Sequence, residues 1–241
     1  MLEKLEKFQI LALAVVLALG GIIGAKIITG AMAKDVIYVT GSFSQNVISD
    51  SGRFEFTIHS RQVNKAQCLS TLNKQRPLVI KYLKDKGFAE NDIDIKALQG
   101  YDVYNINSNG MTTNQVIAYD ATQRISVKSK DVQKIKTVSN EITDLIQQGI
   151  DIGVEEPSYF YSKLPDLKVK MLEEATKDAK QRASAMLKAT HNRVGKIQSV
   201  NMGVFQITPV DSTNVSDSGI SDTTSIEKKI TSVANVTFRV K

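Results

Sequence analysis

From Phe8 to Ala25 the chain carries one strongly polar residue, Gln9, and after Lys26 the apolar pattern resumes at Ile27 and Ile28. A stretch that is apolar on every face over this length has few ways to fold in water. As a helix, Phe8–Ala25 would rise about 27 Å at roughly 1.5 Å per residue, close to the roughly 30 Å hydrocarbon core of a bilayer. Residues 8–28 are therefore expected to form one membrane-spanning helix, with the Lys26 ammonium reaching up to the headgroups. Ala31-Met32-Ala33 also has the small-x-small form of a signal-peptidase site, so cleavage after Ala33 is the competing expectation. The apolar run exceeds the usual h-region of about 7–15 residues, and Lys26 lies between it and the cut; both features favour a retained anchor. Lys4, Lys7 and the amino terminus oppose Lys26 and Lys34, so counting lysines leaves the orientation open. Gly20 and Gly24 form a GxxxG, and Ala14 and Ala18 repeat its spacing. Such small residues let helices approach closely, although they are also ordinary in any membrane helix.

Residues 34–241 keep 28 basic and 23 acidic residues, a mild net charge of +5 spread along the chain. No run of five like charges occurs, which argues against a nucleic-acid tail. The single cysteine, Cys68, excludes an intramolecular disulfide and a cysteine-cluster metal site. Two histidines and no tryptophan leave little material for a polyhistidine site or a base-stacking platform.

The remainder reads as alternating strands and helices. Asp35–Ser44 suits a strand, and after a turn at residues 49–52 the segment RFEFTIHSRQV alternates Phe54, Phe56 and Ile58 with Arg53, Glu55, Thr57 and His59. That pattern buries one face and sends His59 to solvent. Residues 64–86 read as a helix capped by Asn64, with Leu69, Leu72, Val79 and Leu83 inward and Gly87 as its stop. Pro77 is expected to kink or divide it, and Cys68 reads as a small packing residue. Residues 92–106 and Gln115–Lys128 form a long hairpin about a polar tip at Asn107–Gly110. Val132, Ile135, Val138, Ile142 and Leu145 mark a second helix that stops at Gly149, and DIGVEEPSYFYS is a strand ending before Pro165. The two strand–helix–strand units, closed by Gly87 and Gly149, hint at an internal duplication. The third helix carries Asp166 in its first turn. Its inner face is Leu167, Met171, Leu172, Ala175, Ala179, Ala183, Met186 and Leu187, and the alanines imply that another backbone packs close. After a strand over 193–207, the Ser/Thr/Asp-rich tract near 210–226 is a mobile loop. Ile230, Val233, Val236, Phe238 and Val240 close the chain as a strand.

Phosphate-loop, dinucleotide-binding and nucleophile-elbow motifs are absent, as is the EF-hand pattern. His59 and His191 are far apart, with no histidine or cysteine at ligand spacing. Glu155-Glu156, Glu173-Glu174 and Asp178 read as solvated acids, Glu174 with Lys170 at helical spacing. Asn214-Val-Ser216 and Asn235-Val-Thr237 fit the N-glycosylation acceptor, a tripeptide that recurs by chance. No residue is nominated as catalytic, cofactor-binding or metal-ligating.

Several local runs, in order, resemble the SIMPL-domain family of exported bacterial proteins. Val39–Ser44, VTGSFS, is similar to its opening strand, and Gly87 with Asp92 and Ile93 to its G-[VF]-x-x-x-D-I segment. Ala118-Tyr119 and Asp151-Ile152-Gly153 fall where its middle portion lies. Ala175, Ala179, Arg182 and Ala183, followed by Val194-Gly195-Lys196-Ile197, are similar to its A-x-x-x-A-x-x-[RK]-A helix and G-K-[VIL] strand. The likeness spans about residues 34–241. Three features depart from it: no Pro-Asp pair near Asp50, Asn192 in place of a helix-ending glycine, and Pro77.

The expectation is thus an α+β fold, with a mixed or antiparallel sheet and three principal helices, preceded by one N-terminal transmembrane helix. Residues 1–33 would be anchor or signal plus linker, and 34–241 one extracytoplasmic domain. The resemblance implies an envelope location, ring-like or channel-like homo-oligomers in some members and a part in stress tolerance, and it brings no catalytic site. The chain is accordingly expected to be a non-enzymatic protein without cofactors, single-pass in the inner membrane with its C-terminal domain in the periplasm. A homo-oligomeric scaffold leads, with a monomeric protein- or ligand-binding module as the alternative.

Overall fold

A computed structural model describes residues 13–26 and 35–241. Residues 13–26 are helical and form α1. The rest of the expected span, residues 8–12 and 27–28, and the Ala31–Ala33 cleavage site lie outside the described residues. Among the described residues no helix is long and apolar enough to cross a membrane.

Among the described residues the architecture is α+β, with two sheets and four α-helices. Its strands are β1 Val36–Ile48, β2 Ser51–Gln62, β3 Ile93–Ile95, β4 Gln99–Ile106, β5 Thr112–Ser129, β6 Asp151–Val154, β7 Ser158–Phe160, β8 Val194–Met202, β9 Gln206–Pro209, β10 Ile220–Ser221 and β11 Glu227–Val240. The remaining helices are α2 Lys65–Asp85, α3 Val132–Glu141 and α4 Leu164–Lys188. One sheet runs β1-β11-β9-β10 with β8 also on β11; the other runs β3-β5-β2-β6, with β4 on β5 and β7 on β2. The second sheet's recorded pairings are all antiparallel, while the first is mixed because β10 lies parallel to β9.

The described residues fall into two compact units. One comprises the described residues up to Phe43, Lys170–Gly203 and Ser232–Lys241; the other comprises Ser44–Val169 and Val204–Thr231.

In the larger unit the period-two strand behaves as its alternation demands. Phe54, Phe56 and Ile58 of β2 are fully buried beside Ile125 and Val127 of β5, and the Phe54 and Phe56 rings stack at 5.5 Å. Leu72, Val79 and Leu83 of α2 and Ile135 and Val138 of α3 join the same core. Each such large apolar side chain stabilises the fold by roughly 1.5–3 kcal/mol. The Asn64 side chain accepts from the Gln67 N–H at 2.9 Å and starts α2. Gly87 and Gly149 both take positive φ, which a residue without Cβ adopts without strain. Cys68, not Leu69, fills the inward position, and its Sγ–H points to the Ser60 carbonyl at 3.0 Å. Pro77 does not divide α2, which runs unbroken through it. Pro77 and Asn73 are both exposed, so the carbonyl that loses its helical partner faces water.

Three expected strands are interrupted, among them the one over 193–207, which divides into β8 and β9. The 92–106 segment splits into β3 and β4, which pair with successive stretches of β5. DIGVEEPSYFYS splits into β6 and β7 around Pro157, which has no N–H for a ladder. The Ser/Thr-rich tract holds the short strand β10, and Gln206 bonds Ser216 in both directions through its side-chain amide.

In the smaller unit, Ala175, Ala179 and Ala183 of α4 pack with Val39, Ala234, Val236 and Phe238. Met186, expected inward, is exposed, because the buried line along α4 advances four residues at a time from Leu167 to Leu187. The end of α4 departs from the usual glycine through His191, whose φ is 58°.

Candidate functional site

The densest chemistry lies on the face of the β2–β5–β6 sheet away from the core. Period two places Glu55, Thr57, His59 and Arg61 there, and the ladder sets partners beside them. Antiparallel register puts Arg61 opposite Asp120 on β5 and His59 opposite Asp151 on β6. His59 is on the polar face as its alternation requires, but it is not the solvent-facing residue expected. Its side chain is 30% exposed and lies between two carboxylates. Nε2 meets Asp120 Oδ1, and Nδ1 lies 3.0 Å from Asp151 Oδ2. Arg61 donates to the other Asp120 oxygen from Nε at 2.9 Å and from the Nη2 side at 2.8 Å.

Asp120 is the centre of this group. It is 1% exposed, with one oxygen turned to the imidazole and the other to the guanidinium. Two charge-assisted partners compensate the desolvation that an isolated buried carboxylate would suffer. The imidazole spans from Asp120 on β5 to Asp151 on β6 and so joins the three strands. Asp151, 71% exposed, is the partner open to exchange with an incoming group.

The cluster borders a groove of about 620 Å³ whose walls include Thr71, Gln75, Tyr101 and Gly149. Farther along the same sheet face, Arg124 lies 3.2 Å from Glu155 and 3.8 Å from Glu55, which also pairs with Arg53 at 3.1 Å. The acids and bases of this face thus neutralise one another in a row. It presents hydrogen-bonding groups of both signs and no isolated field of one charge.

The other residues weighed in the sequence are dispersed. Glu173 and Glu174 both pair with Lys177, at 2.7 and 2.9 Å, rather than with Lys170. Glu173 is held below the ordinary carboxylate range, first by its hydrogen bond with Lys177. Asp178 pairs with Arg182 and accepts the Ser42 N–H at 2.8 Å. Among the described residues no group of three or more His, Cys, Asp or Glu is arranged to hold a metal ion.

Sequence reasoning missed Asp120 and Asp151. The one available signal was Asp120 itself, a carboxylate between Tyr119 and Ala121 in an otherwise apolar stretch. Such a residue needs a partner when the strand is buried. Naming that partner required the strand register.

No curated relative matches the chain. A family model, described as a protein of unknown function (DUF541), matches residues 37–239. It covers both units and the His59 cluster, and it agrees with the resemblance carried by Val39–Ser44, the α4 alanines and the Val194–Ile197 strand. The chain therefore belongs to the SIMPL family.

Proposed function

We propose that this chain is a non-enzymatic envelope protein, anchored in the inner membrane by residues 8–28, whose 34–241 portion acts outside the cytoplasm through association of its copies. The observation that carries this reading is the ribbon formed by β4 and the first half of β5. Residues 112–118 of β5 pair with β4 and with no other strand among the described residues. A two-stranded ribbon without a covering layer is marginal in water. In a chain with 23% charged residues, positions 99–118 carry one charge, Asp102. Tyr101, Tyr104, Ile106, Met111, Val116 and Ile117 are all exposed on it. Natural edge strands are usually blunted by lysine, proline, inward charge or bulges; β4 has no lysine or proline, and beside its one charge, Asp102, and its register shifts against β5 it leaves an apolar surface that a second copy would cover. The apolar α1 residues Leu13, Val16, Leu17, Ile22 and Ile23, all more than half exposed, support the anchor.

Mass measurement under native conditions on the full chain in detergent tests the reading. The wild type should exceed monomer mass, and the doubly charged variant Ile106→Lys/Val116→Lys should fall to monomer while keeping its fold. A strictly monomeric wild type at every concentration would remove the assembly. The groove beside His59 favours a second reading, a monomeric module that binds a protein or small ligand. Under it, the charged ribbon variant would still retain a partner that His59→Ala loses.

A further inference from the structure

A second site, independent of the assembly reading, lies where β7, β9, β10 and β11 meet in the larger unit. A cavity of about 140 Å³ is bounded by Phe160, Leu164, Ile207 and Ile230, and into this apolar lining come Asp222 and Lys228. Lys228 is 3% exposed and the Asp222 side chain 8%. Lys228 occupies a position on β11 whose neighbours on the same face, Ile230, Ser232 and Ala234, are buried.

The two charged groups form a loose ion pair that leaves hydrogen-bonding capacity unused. Asp222 Oδ1 accepts from the Thr224 N–H at 2.9 Å, the Thr224 hydroxyl at 3.0 Å and the Ser225 N–H at 3.2 Å. Oδ2 accepts no hydrogen bond from the protein, and the Lys228 ammonium stands 3.6 Å from it, beyond hydrogen-bond length. That ammonium donates instead to the Asp222 backbone carbonyl at 2.8 Å, and an ammonium has three protons to give. A buried acceptor and a buried donor capacity are therefore left over beside one apolar hollow.

We propose that this hollow binds a small, uncharged, planar molecule that pairs an apolar ring with a hydrogen-bond donor, of which phenol is the simplest. The size is right, since an apolar cavity of about 150 Å³ accepts benzene. The charge is right as well, because an anion would meet Asp222 and a cation Lys228, whereas a neutral hydroxyl gives its proton to Oδ2 and accepts from the ammonium. Burial pushes the Lys228 ammonium down from its ordinary range against the opposing pull of Asp222, in keeping with the burial of that side chain. The aromatic and aliphatic walls supply the contact that a ring needs and water cannot use.

Methyl NMR on the full chain in detergent, with isoleucines labelled, tests this with phenol as probe and toluene as its donor-free counterpart. Phenol should shift the Ile207 and Ile230 methyls saturably while leaving Ile58, in the core beneath β2, unmoved. Toluene should bind at least tenfold more weakly at the same methyls. Ile207→Phe, which fills the hollow without touching the charged pair, should abolish the Ile230 response; Asp222→Asn, which puts a donor where the acceptor was, should reduce phenol to the toluene level. Equal affinity for phenol and toluene, or no saturable shift at Ile207 and Ile230, would overturn the proposal.

Discussion

Gly41 of β1 lies directly against Ala179 of α4. A methyl group built on Gly41 would overlap the Ala175 carbonyl and the Ala179 backbone nitrogen, and would stand 2.8 Å from the Ala179 Cα. Glycine at 41 and alanine at 175, 179 and 183 are thus one device, which lets strand and helix backbones approach closer than any larger side chain permits. Gly41→Ala and Ala179→Leu should each destabilise the fold, Ala179→Leu by about 1–3 kcal/mol as an overpacked contact. Urea unfolding of each variant measures this, and an unchanged midpoint for both would contradict the close approach.

The Asp120 bridge predicts an order of effects. Asp120→Ala removes the shared acceptor of His59 and Arg61 and should cost about 1.5–3 kcal/mol, the range for hydrogen bonds to charged groups. Asp151→Asn should cost far less, because Asp151 is 71% exposed and water replaces the lost contact. His59→Ala should fall between them. Chemical denaturation of the three variants reads the series, and equal losses at Asp120 and Asp151 would show that burial does not set it.

Lys228 gives a pH signature. Burial lowers its ammonium below the ordinary 10.5, with Asp222 opposing. Between that lowered value and 10.5 the unfolded chain binds more protons than the folded one, so stability rises with pH in this window. Lys228→Met removes the contribution, and the stability difference between wild type and variant should therefore grow in favour of wild type as pH climbs toward 10.5. Tyr82 and Tyr159, both raised by burial, act oppositely above pH 10 and are common to both proteins. Thermal melts over this range provide the comparison; a constant difference would count against the buried ammonium.

The proposed topology has its own assay. Protease added to cells with a permeabilised outer envelope and an intact inner membrane should cut between residues 211 and 218, where Asn214, Val215 and Asp217 are exposed. The amino-terminal fragment should stay in the membrane. Full protection until the inner membrane is lysed would reverse the orientation, and soluble protein beginning at Lys34 would mean that the amino-terminal segment is a cleaved signal.

The sequence by itself determined what depends on neighbours a few residues away. Phe54, Phe56 and Ile58 share a face because a strand has period two, Asn64 caps α2 through the Gln67 N–H three residues on, and Gly87 and Gly149 end helical segments with a positive φ. The alanines of α4 even announced that a backbone would press against them, though not that it would be Gly41's. The tertiary structure alone decided the chemistry. His59 meets Asp120 across 61 positions and Asp151 across 92, and each contact exists because β2 settled between β5 and β6 in one register. A slip of β2 by one residue would have turned His59 to the other face, away from both carboxylates. The same dependence set Lys228 within a line of buried residues beside a hollow lined by Phe160 and Ile207, where local pattern reads a lysine as solvated. Period and capping are properties of short segments, whereas a buried charge acquires its partner only when distant strands pair.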